Sequence, residues 1–423
     1  MNAETLSERH ELELRTHFRW NYFFHSIEGG LFLGGMAFVA PNTVLPPMVE
    51  SLGGAAWLIS LMPIMMMLGF VWPPLFTAHK VEDLHFVKPV LMLSGFFQRI
   101  PYLATGFVLI YLSADHPLLA LSCLALTPLV SGLFGGVTMT AWLELVAKTI
   151  PANRRSSLWA VRFVISSVIG FGAGIAITRI LHVHPGAVGY GILHLIAFGF
   201  LVVSYILFAL LRETNPPHDT QENRVVLAAN LKSIPRMIRE DKRLRDYLYT
   251  RSLMNGMFVM TPFLTIHALA VLQRPESYMG YLVSAQMVGG IVGNVLAGYL
   301  GDRFGGKIPM TMSRISLLVS SVWICFAVRP WEFSVIFALF GLAFFANQVG
   351  TTTLCIEISP PKRRATYLAT MATISMPSMI LASLIASWVW SGTGAFAILA
   401  AITGVSMVFS LYYLAKIDEP RGR

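Results

Sequence analysis

Long apolar stretches separated by polar loops run along almost the whole chain. A helix of about 20 apolar residues crosses the hydrocarbon core of a bilayer, and it satisfies its own backbone hydrogen bonds there. The pattern predicts twelve such spans, over residues 20–48, 55–78, 88–113, 117–148, 158–181, 186–211, 247–272, 277–300, 307–328, 332–356, 366–390 and 393–415. The predicted fold class is therefore all-α, a polytopic membrane protein.

The longest polar stretch lies between the sixth and seventh predicted spans. Its apolar residues recur at helical spacing, which allows an interfacial helix, and an ordinary solvated linker fits equally well. In either case the stretch divides the twelve transmembrane helices into two pseudo-symmetric six-helix bundles. The predicted domains are a tail over 1–19, a bundle over 20–211, a linker over 212–246, a bundle over 247–415 and a tail over 416–423.

Two short patterns recur at corresponding places in the predicted halves. The first span contains Arg19-x6-Ser26-x3-Gly30, and the seventh contains Arg245-x6-Ser252-x3-Gly256. The loop after the fourth span reads Pro151-x-x-Arg154-Arg155, and the loop after the tenth reads Pro360-x-x-Arg363-Arg364. Many transporters consist of such duplicated halves, with the substrate bound at their interface near the bilayer midplane.

Charge is scarce and unevenly distributed. Charged residues make up 13% of the chain, against about 25% in soluble proteins. The net charge of +9 falls mainly in every second loop, which is typical of the cytoplasmic loops of membrane proteins and not of a nucleic-acid surface. Both termini are therefore expected in the cytoplasm, at the cell (inner) membrane. The polar first residues lack a cleavable signal peptide pattern, so the first span itself would direct membrane insertion.

Enzymatic and cofactor chemistry leave no pattern in this sequence. The three cysteines, Cys123, Cys325 and Cys355, all lie in apolar stretches, which favours buried thiols over a metal site or disulfides. No phosphate-binding loop of the Gly-x4-Gly-Lys-Ser/Thr type is present. We therefore expect neither enzymatic activity nor a cofactor or metal.

One polar loop stands out, between the eighth and ninth spans. It has the spacing Gly298-x3-Asp302-Arg303-x-Gly305-x-Lys307. Adjacent glycines allow a tight turn, and Gly298 would let two helices approach closely. This loop resembles the signature loop of the major facilitator superfamily, a group of secondary transporters, although a generic basic hairpin would also fit. The corresponding loop after the second span, residues 76–83, departs from the signature.

The resemblance implies that the arginine-containing loops face the signature loops. We hypothesise that Asp302 caps the fifth span near Arg154 and Arg155 and so closes the cytoplasmic side. The alternative is that these arginines, with Arg363 and Arg364, only set the membrane topology.

Three of the charged residues within predicted spans are candidates for a functional role. Glu28 and Arg99 lie about 12 and about 16 Å from the cytoplasmic edge at 1.5 Å per residue, and buried charges in a membrane are functional candidates. A Glu28–Arg99 pair would serve either proton coupling or static helix packing. Glu144, four residues before Lys148, favours a structural or gating pair over the alternative of a proton carrier.

The resemblance also implies that spans one, four, seven and ten line a central cavity. The candidate cavity residues are the polar or aromatic residues of those spans, namely Thr140, Trp142, Asn255, His267, Asn347, Gln348 and Thr351. For each of them, helix packing is an equally good explanation.

The expected function is secondary active transport of a small organic solute by alternating access, coupled to protons, in a monomer embedded in the lipid bilayer. Proton-driven efflux of lipophilic compounds or lipid-like solutes is an alternative, since methionine-rich spans adapt to apolar shapes. A second alternative is a non-transporting membrane sensor or assembly protein on a transporter fold.

Overall fold

The computed structural model describes residues 3–82, 84, 86–151, 154–214, 238–359 and 374–418, without the side chains at 3–12, 15, 75, 76, 78–82, 140, 156 and 356. Regular structure in this part is helical. The helices are α1 (Ala3–Gly35), α2 (Leu45–Ser51), α3 (Ala56–Glu82), α4 (Lys88–Tyr111), α5 (Pro117–Thr149), α6 (Arg155–Val183), α7 (Ala187–Ala209), α8 (Lys242–Met254), α9 (Met257–Leu272), α10 (Met279–Phe304), α11 (Lys307–Trp323), α12 (Pro330–Ile358), α13 (Met376–Thr393) and α14 (Phe396–Ala415). Short 3₁₀ turns lie at Met36–Val39 and Glu276–Tyr278.

Nine helical stretches in the described residues are long and apolar enough to cross a membrane. The other three predicted spans coincide with α1, whose first half is charged, and with the shorter α11 and α13. The all-α fold class is confirmed, and the number of twelve crossings stays a prediction.

The chain forms two compact units. Unit 1 comprises Met1–Val39, Met65–Ala173 and Ala187–Val225, and unit 2 comprises Ala40–Ile64, Gly174–Gly186 and Val226–Arg423. Unit 2 thus includes two segments of the predicted first bundle. The predicted boundaries at 20–211 and 247–415 stay predictions, and the predicted interfacial helix of the linker falls largely on residues 215–237, outside the described part.

In unit 1, α4 packs against α5 and α7, and α1 packs against α7. The backbones of α3 and α5 approach so closely that a methyl group on Gly69 or Gly132 would overlap backbone atoms of the other helix. Leu91, Leu145 and Phe208 belong to the apolar core between α4, α5 and α7. This packing places the inner faces of α1, α4, α5 and α7 around a common interior.

In unit 2, α10 and α12 make the corresponding close crossing. Gly289 of α10 lies against the carbonyl of Ala338, and Gly341 of α12 lies against the carbonyl of Gln286. These helices are the eighth and tenth predicted spans, and α3 and α5 are the second and fourth. The same glycine-mediated contact therefore recurs at equivalent places in the two halves, as a duplication predicts.

The seventh predicted span is interrupted. Helix α8 ends at Met254 and α9 begins at Met257. The side-chain amide of Asn255 donates hydrogen bonds to the Ser375 carbonyl at 2.7 Å and to Ser378 Oγ at 2.9 Å. The interruption is therefore fastened to the start of α13.

Candidate functional site

A buried ion pair joins α1 to α6 in the interior of unit 1. Arg162 Nη1 donates to Glu28 Oε1 at 2.7 Å, and it also donates to the backbone carbonyl of His25 at 3.1 Å. Glu28 is 4% exposed and Arg162 is 7% exposed. The His25 ring lies 3.7 Å from the same carboxylate, and Ser204 Oγ donates to its other oxygen at 3.5 Å.

Aromatic rings surround the Arg162 guanidinium. Its central carbon lies 4.8 Å from the ring centroid of Trp142 and 5.5 Å from that of Trp159. Cations are attracted to the faces of aromatic rings, most strongly to tryptophan. The absence of a side chain at Gly29 creates the space that the guanidinium fills.

Arg99 lies in the same interior but is not the partner of Glu28. Its Nε donates to the Leu201 carbonyl at 2.8 Å and its Nη1 to the Gly95 carbonyl at 2.6 Å. The guanidinium lies over the rings of Phe32 and Tyr205, at 5.5 and 5.0 Å. The hypothesised Glu28–Arg99 pair is therefore corrected to Glu28–Arg162, because α6 brings its arginine closer to α1 than α4 does.

A cavity of about 290 Å³ opens between these side chains. Its charged lining consists of Glu28, Arg99 and Arg162. The remaining lining is mostly apolar and aromatic, and comprises Phe32, Leu33, Met66, Phe70, Leu91, Gly95, Gln98, Gly135, Thr138, Met139, Trp142, Trp159, Tyr205 and Phe208. Of the predicted site residues, the structure thus brings together Glu28, Arg99 and Trp142. The side chain of Thr140 lies outside the described part.

The other candidate cavity residues belong to unit 2, where structural contacts engage most of them. Asn347 Oδ1 accepts from Arg314 Nη1 at 2.8 Å and from Thr351 Oγ1 at 3.1 Å. The His267 ring stacks on Phe396 with centroids 4.0 Å apart. Asn255 fastens α8 to α13, as described above, and Gln348 is exposed on α12. Their assignment to a substrate cavity stays a prediction.

Arg314, which is fully buried in unit 2, was not predicted as a site residue. Its Nε donates to Ser410 Oγ at 3.3 Å, its Nη1 to Asn347 and to the Met310 carbonyl, and its Nη2 has no hydrogen-bond partner among the described residues. The sequence does contain a signal for this residue, because Arg314, like Arg162, is a charged residue within a predicted apolar span.

Glu144 is a minor partner of Lys148. The two side chains approach to 3.9 Å, and that of Glu144 is 46% exposed. Lys148 makes a shorter, fully buried pair of 3.4 Å with Glu213. The Glu213 carboxylate also accepts from the backbone N–H groups of Val87 and Lys88, at 2.9 and 3.0 Å, and so caps the N-terminus of α4. The structural pair thus extends to a residue assigned to the linker.

The signature-like loop joins α10 to α11. Gly305 has a φ of +88°, as expected for a tight turn, and the N–H of Gly306 donates to Glu357 at 3.1 Å. Lys307 Nζ donates to the carbonyl of Ile417 at 2.5 Å, so it caps the C-terminal end of α14.

Gly298 differs from what was expected of it, and the role of Asp302 stays a prediction. No described atom lies within 4 Å of a Cβ placed on Gly298, so this glycine is not a site of close helix approach. Arg303 donates to the hydroxyl of Tyr299 on its own helix. Asp302 is exposed, and its role as a latch stays a prediction.

The predicted arginine pairs are only partly described. Arg155 donates to the carbonyls of Ile150 at 3.1 Å and Ala147 at 3.0 Å, at the C-terminal end of α5. Arg154 is exposed beside it. Arg363 and Arg364 lie outside the described residues.

Comparison with known proteins gives the following matches. Residues 252–423 match the family model of the Major Facilitator Superfamily. The MFS-type transporter YqjV of Bacillus subtilis (strain 168) is 30% identical over 103 residues, which are 24% of this chain and 25% of that protein. The gallate transporter of Pseudomonas putida is 33% identical over 94 residues, 22% of this chain and 21% of that protein. The matches thus span a quarter or less of the length of these relatives.

Solved structures share the fold over nearly the whole chain. A mutant of the nucleoside transporter NupG superposes with a TM-score of 0.72 at 12% identity, covering 94% of this chain and 100% of that one. A bacterial homologue of the human lysosomal transporter Spinster superposes with a TM-score of 0.63 at 12% identity, covering 94% and 96%. These likenesses show a common helical fold.

Proposed function

We propose that the protein is a secondary active transporter of a small organic solute, of the Major Facilitator Superfamily. The proposal is supported by the match of residues 252–423 to the model of that family and by the helical fold shared with solved transporters. It is a multi-pass membrane protein. We place it in the cell (inner) membrane and propose that it is a monomer. Both termini lie in the cytoplasm in this proposal, since basic residues concentrate in the loops on that side.

The observation that carries the proposal is the buried Glu28–Arg162 pair on the wall of a cavity. A carboxylate within a membrane-spanning bundle is costly unless it is paired, and such residues typically mark ion or substrate pathways. In the proposed mechanism, the ionised Glu28 holds Arg162 to α1. Protonation of Glu28 removes this attraction, and release of Arg162 links a proton to movement of α6 against α1.

Alternating access of the two halves then carries the solute across the membrane, in agreement with the general scheme for duplicated transporters. The predicted latch at Asp302 would close the cytoplasmic side. If the Asp302→Asn variant keeps the wild-type transport rate and the wild-type cysteine accessibility on the cytoplasmic side, the latch is excluded.

The proposal is tested with the full-length protein in proteoliposomes, by counterflow against a panel of compounds with and without a proton gradient. Glu28→Gln should abolish the stimulation by the gradient while solute exchange persists, because a glutamine cannot exchange a proton. Asp115→Asn is the control, at an exposed acid between α4 and α5. Unchanged stimulation in Glu28→Gln would remove Glu28 from the coupling mechanism.

Efflux of lipophilic compounds is a second candidate, favoured by the largely apolar cavity wall that includes Met66, Phe70 and Met139. Counterflow distinguishes the two candidate functions, since an efflux protein of this kind would exchange only the lipophilic compounds of the panel. A non-transporting sensor, suggested by the departure from the signature in residues 76–83, would show neither exchange nor alternate labelling of paired cysteines from the two sides.

A further inference from the structure

The lining of the unit 1 cavity carries an unbalanced positive charge. Its charged members are two arginines and one glutamate. Glu28 is engaged with Arg162 at 2.7 Å. Arg99 donates only to neutral backbone carbonyls, and no carboxylate of the described residues lies within 4 Å of its guanidinium. The described charged side chains of the lining thus sum to one net positive charge.

Such an arrangement costs free energy unless a counter-charge or hydrogen bonds compensate it. Arg99 is 8% exposed, and a charge withdrawn from water without a counter-charge is strongly unfavourable. The rings of Phe32 and Tyr205 compensate in part. A guanidinium has five N–H donors. The two backbone carbonyls use one each on Nε and Nη1, so one N–H of Nη1 and both N–H groups of Nη2 are left for a ligand.

The surroundings of Arg99 fit a carboxylate attached to an apolar body. Gln98 adds an amide to the polar part of the lining, while Phe70, Trp142 and Trp159 form apolar walls. The volume of about 290 Å³ lies at the lower end of ligand pockets, which span roughly 300–1,000 Å³. This size fits one small molecule.

We propose that the cavity binds a small organic monocarboxylate, with its carboxylate on Arg99 and its apolar or aromatic body against the tryptophans. The inference rests on the proposed transport function and names the substrate class of the same site. A single negative charge neutralises the surplus positive charge of the lining. Guanidinium pairs favourably with carboxylate through two parallel hydrogen bonds.

Binding to the purified full-length protein tests the inference without requiring transport. Isothermal titration in detergent compares acetate, hexanoate and benzoate with acetamide, hexanamide and benzamide, the neutral amides of the same shape. At least one acid should bind at least about tenfold more tightly than its amide, because charge-assisted hydrogen bonds are about twice as strong as neutral ones. If every amide binds as tightly as its acid, or no acid binds, the inference is wrong.

Variants locate the site. Arg99→Gln should reduce the preference for the acid to near unity, and Arg99→Lys should restore part of it, since the charge is kept but the two-pronged geometry is lost. Arg179→Gln, at an exposed arginine of α6, is the matched control and should bind as the wild type does. A preference retained in Arg99→Gln would overturn the assignment. Should Arg99→Gln fail to fold, quenching of tryptophan fluorescence by benzoate in the wild type and not in Trp142→Phe gives an independent readout.

Transport assays separate this inference from the proposed function. Preferential binding of the acid without exchange in proteoliposomes would refute transport of these compounds and leave the anion site intact. Proton-stimulated exchange of neutral solutes without preference for the acid would support transport and refute the anion site.

Discussion

Single positions decide where the buried charges of unit 1 can lie. Gly29, next to Glu28 in sequence, faces the Arg162 guanidinium across the contact between α1 and α6. A methyl group there would overlap the guanidinium and separate it from the Glu28 carboxylate. The space around this one glycine is therefore as important to the ion pair as the two charged residues.

We expect Gly29→Ala to destabilise the protein, since dislocating one member of a buried pair costs up to about 3–5 kcal/mol. Gly172→Ala on α6 is the control, because no described atom lies within 4 Å of its added methyl group. The measurement is thermal unfolding in detergent, together with tryptophan emission, which reports on the rings beneath Arg162. In an Arg162→Met background the effect of Gly29→Ala should largely disappear. Equal losses for the two alanine variants would contradict the interpretation.

The carboxylates of Glu50 and Glu276 in unit 2 give a pH dependence. Burial, and then the charge of Glu276, raise the pKa of Glu50. Because the folded protein holds this proton more tightly than the unfolded chain, the stabilisation is complete below the unfolded pKa and is lost as the pH rises through the folded pKa. Glu50→Gln should therefore raise the unfolding temperature at about pH 7.5 and have little effect near about pH 4.

Glu276→Gln should give a gain of the same sign at neutral pH by removing the repulsion. Asp115→Asn, at an exposed acid of unit 1, serves as the control. A gain from Glu50→Gln that is the same at both pH values would indicate a cause other than this ionisation.

The sequence allowed Glu28 to be identified but not its partner. An acidic residue within an apolar stretch can be recognised from the sequence alone, because a charge buried in a membrane demands an explanation. The partner depends on which helix lies next to α1. Arg99 and Arg162 both lie in predicted spans, and only tertiary packing selects Arg162. Glu213 was missed for a related reason, since its polar sequence context is that of a loop.

At the scale of helices, the crossing of α10 with α12 tolerates no side chain. The backbone of Ala338 occupies the space that a Cβ on Gly289 would require. Gly289→Val should destabilise unit 2 by at least about 1–3 kcal/mol through overpacking. Gly298→Val on the same helix meets open space and should have little effect. Comparable unfolding temperatures for the two valine variants would show that the crossing adapts.

Helices were predicted better than their interruptions. The apolar stretches gave the positions of the spans because a membrane demands length and hydropathy, which a sequence displays directly. The interruption at Asn255 was not foreseen, since its stability derives from hydrogen bonds to Ser375 and Ser378, more than a hundred residues away. The signature-like loop lies as predicted between α10 and α11, but Gly298 does not make the close approach expected of it.

At the scale of the whole molecule, unit 2 contains two contacts that would have to open under the proposed alternating access. Thr43 donates a hydrogen bond to the side chain of Gln286 on α10. A Cβ on Gly280 of the same helix would overlap backbone atoms of Gly174. Both contacts lie near the ends of spans that are predicted to face away from the cytoplasm.

Gly280→Leu should separate these contacts and favour the conformation that is open on the side away from the cytoplasm. A cysteine at position 43, now 1% exposed, should then react faster with a membrane-impermeant maleimide, in a protein whose three native cysteines are replaced. Gly392→Leu, which meets no described atom within 4 Å, is the control. Unchanged labelling in Gly280→Leu would mean that this contact does not restrict access.

The contacts of the Glu213 carboxylate determine where the chain can be divided into two separately expressed fragments. This carboxylate, just after α7, contacts both Lys148 and the start of α4. Thr214 adds a hydrogen bond of 2.5 Å to the Lys148 carbonyl. A chain break placed after residue 214 leaves these ties within the first fragment. A break after residue 211 transfers Glu213 to the second fragment and leaves a buried lysine without its carboxylate. Co-expressed fragments should therefore reassemble well with the first division and poorly with the second.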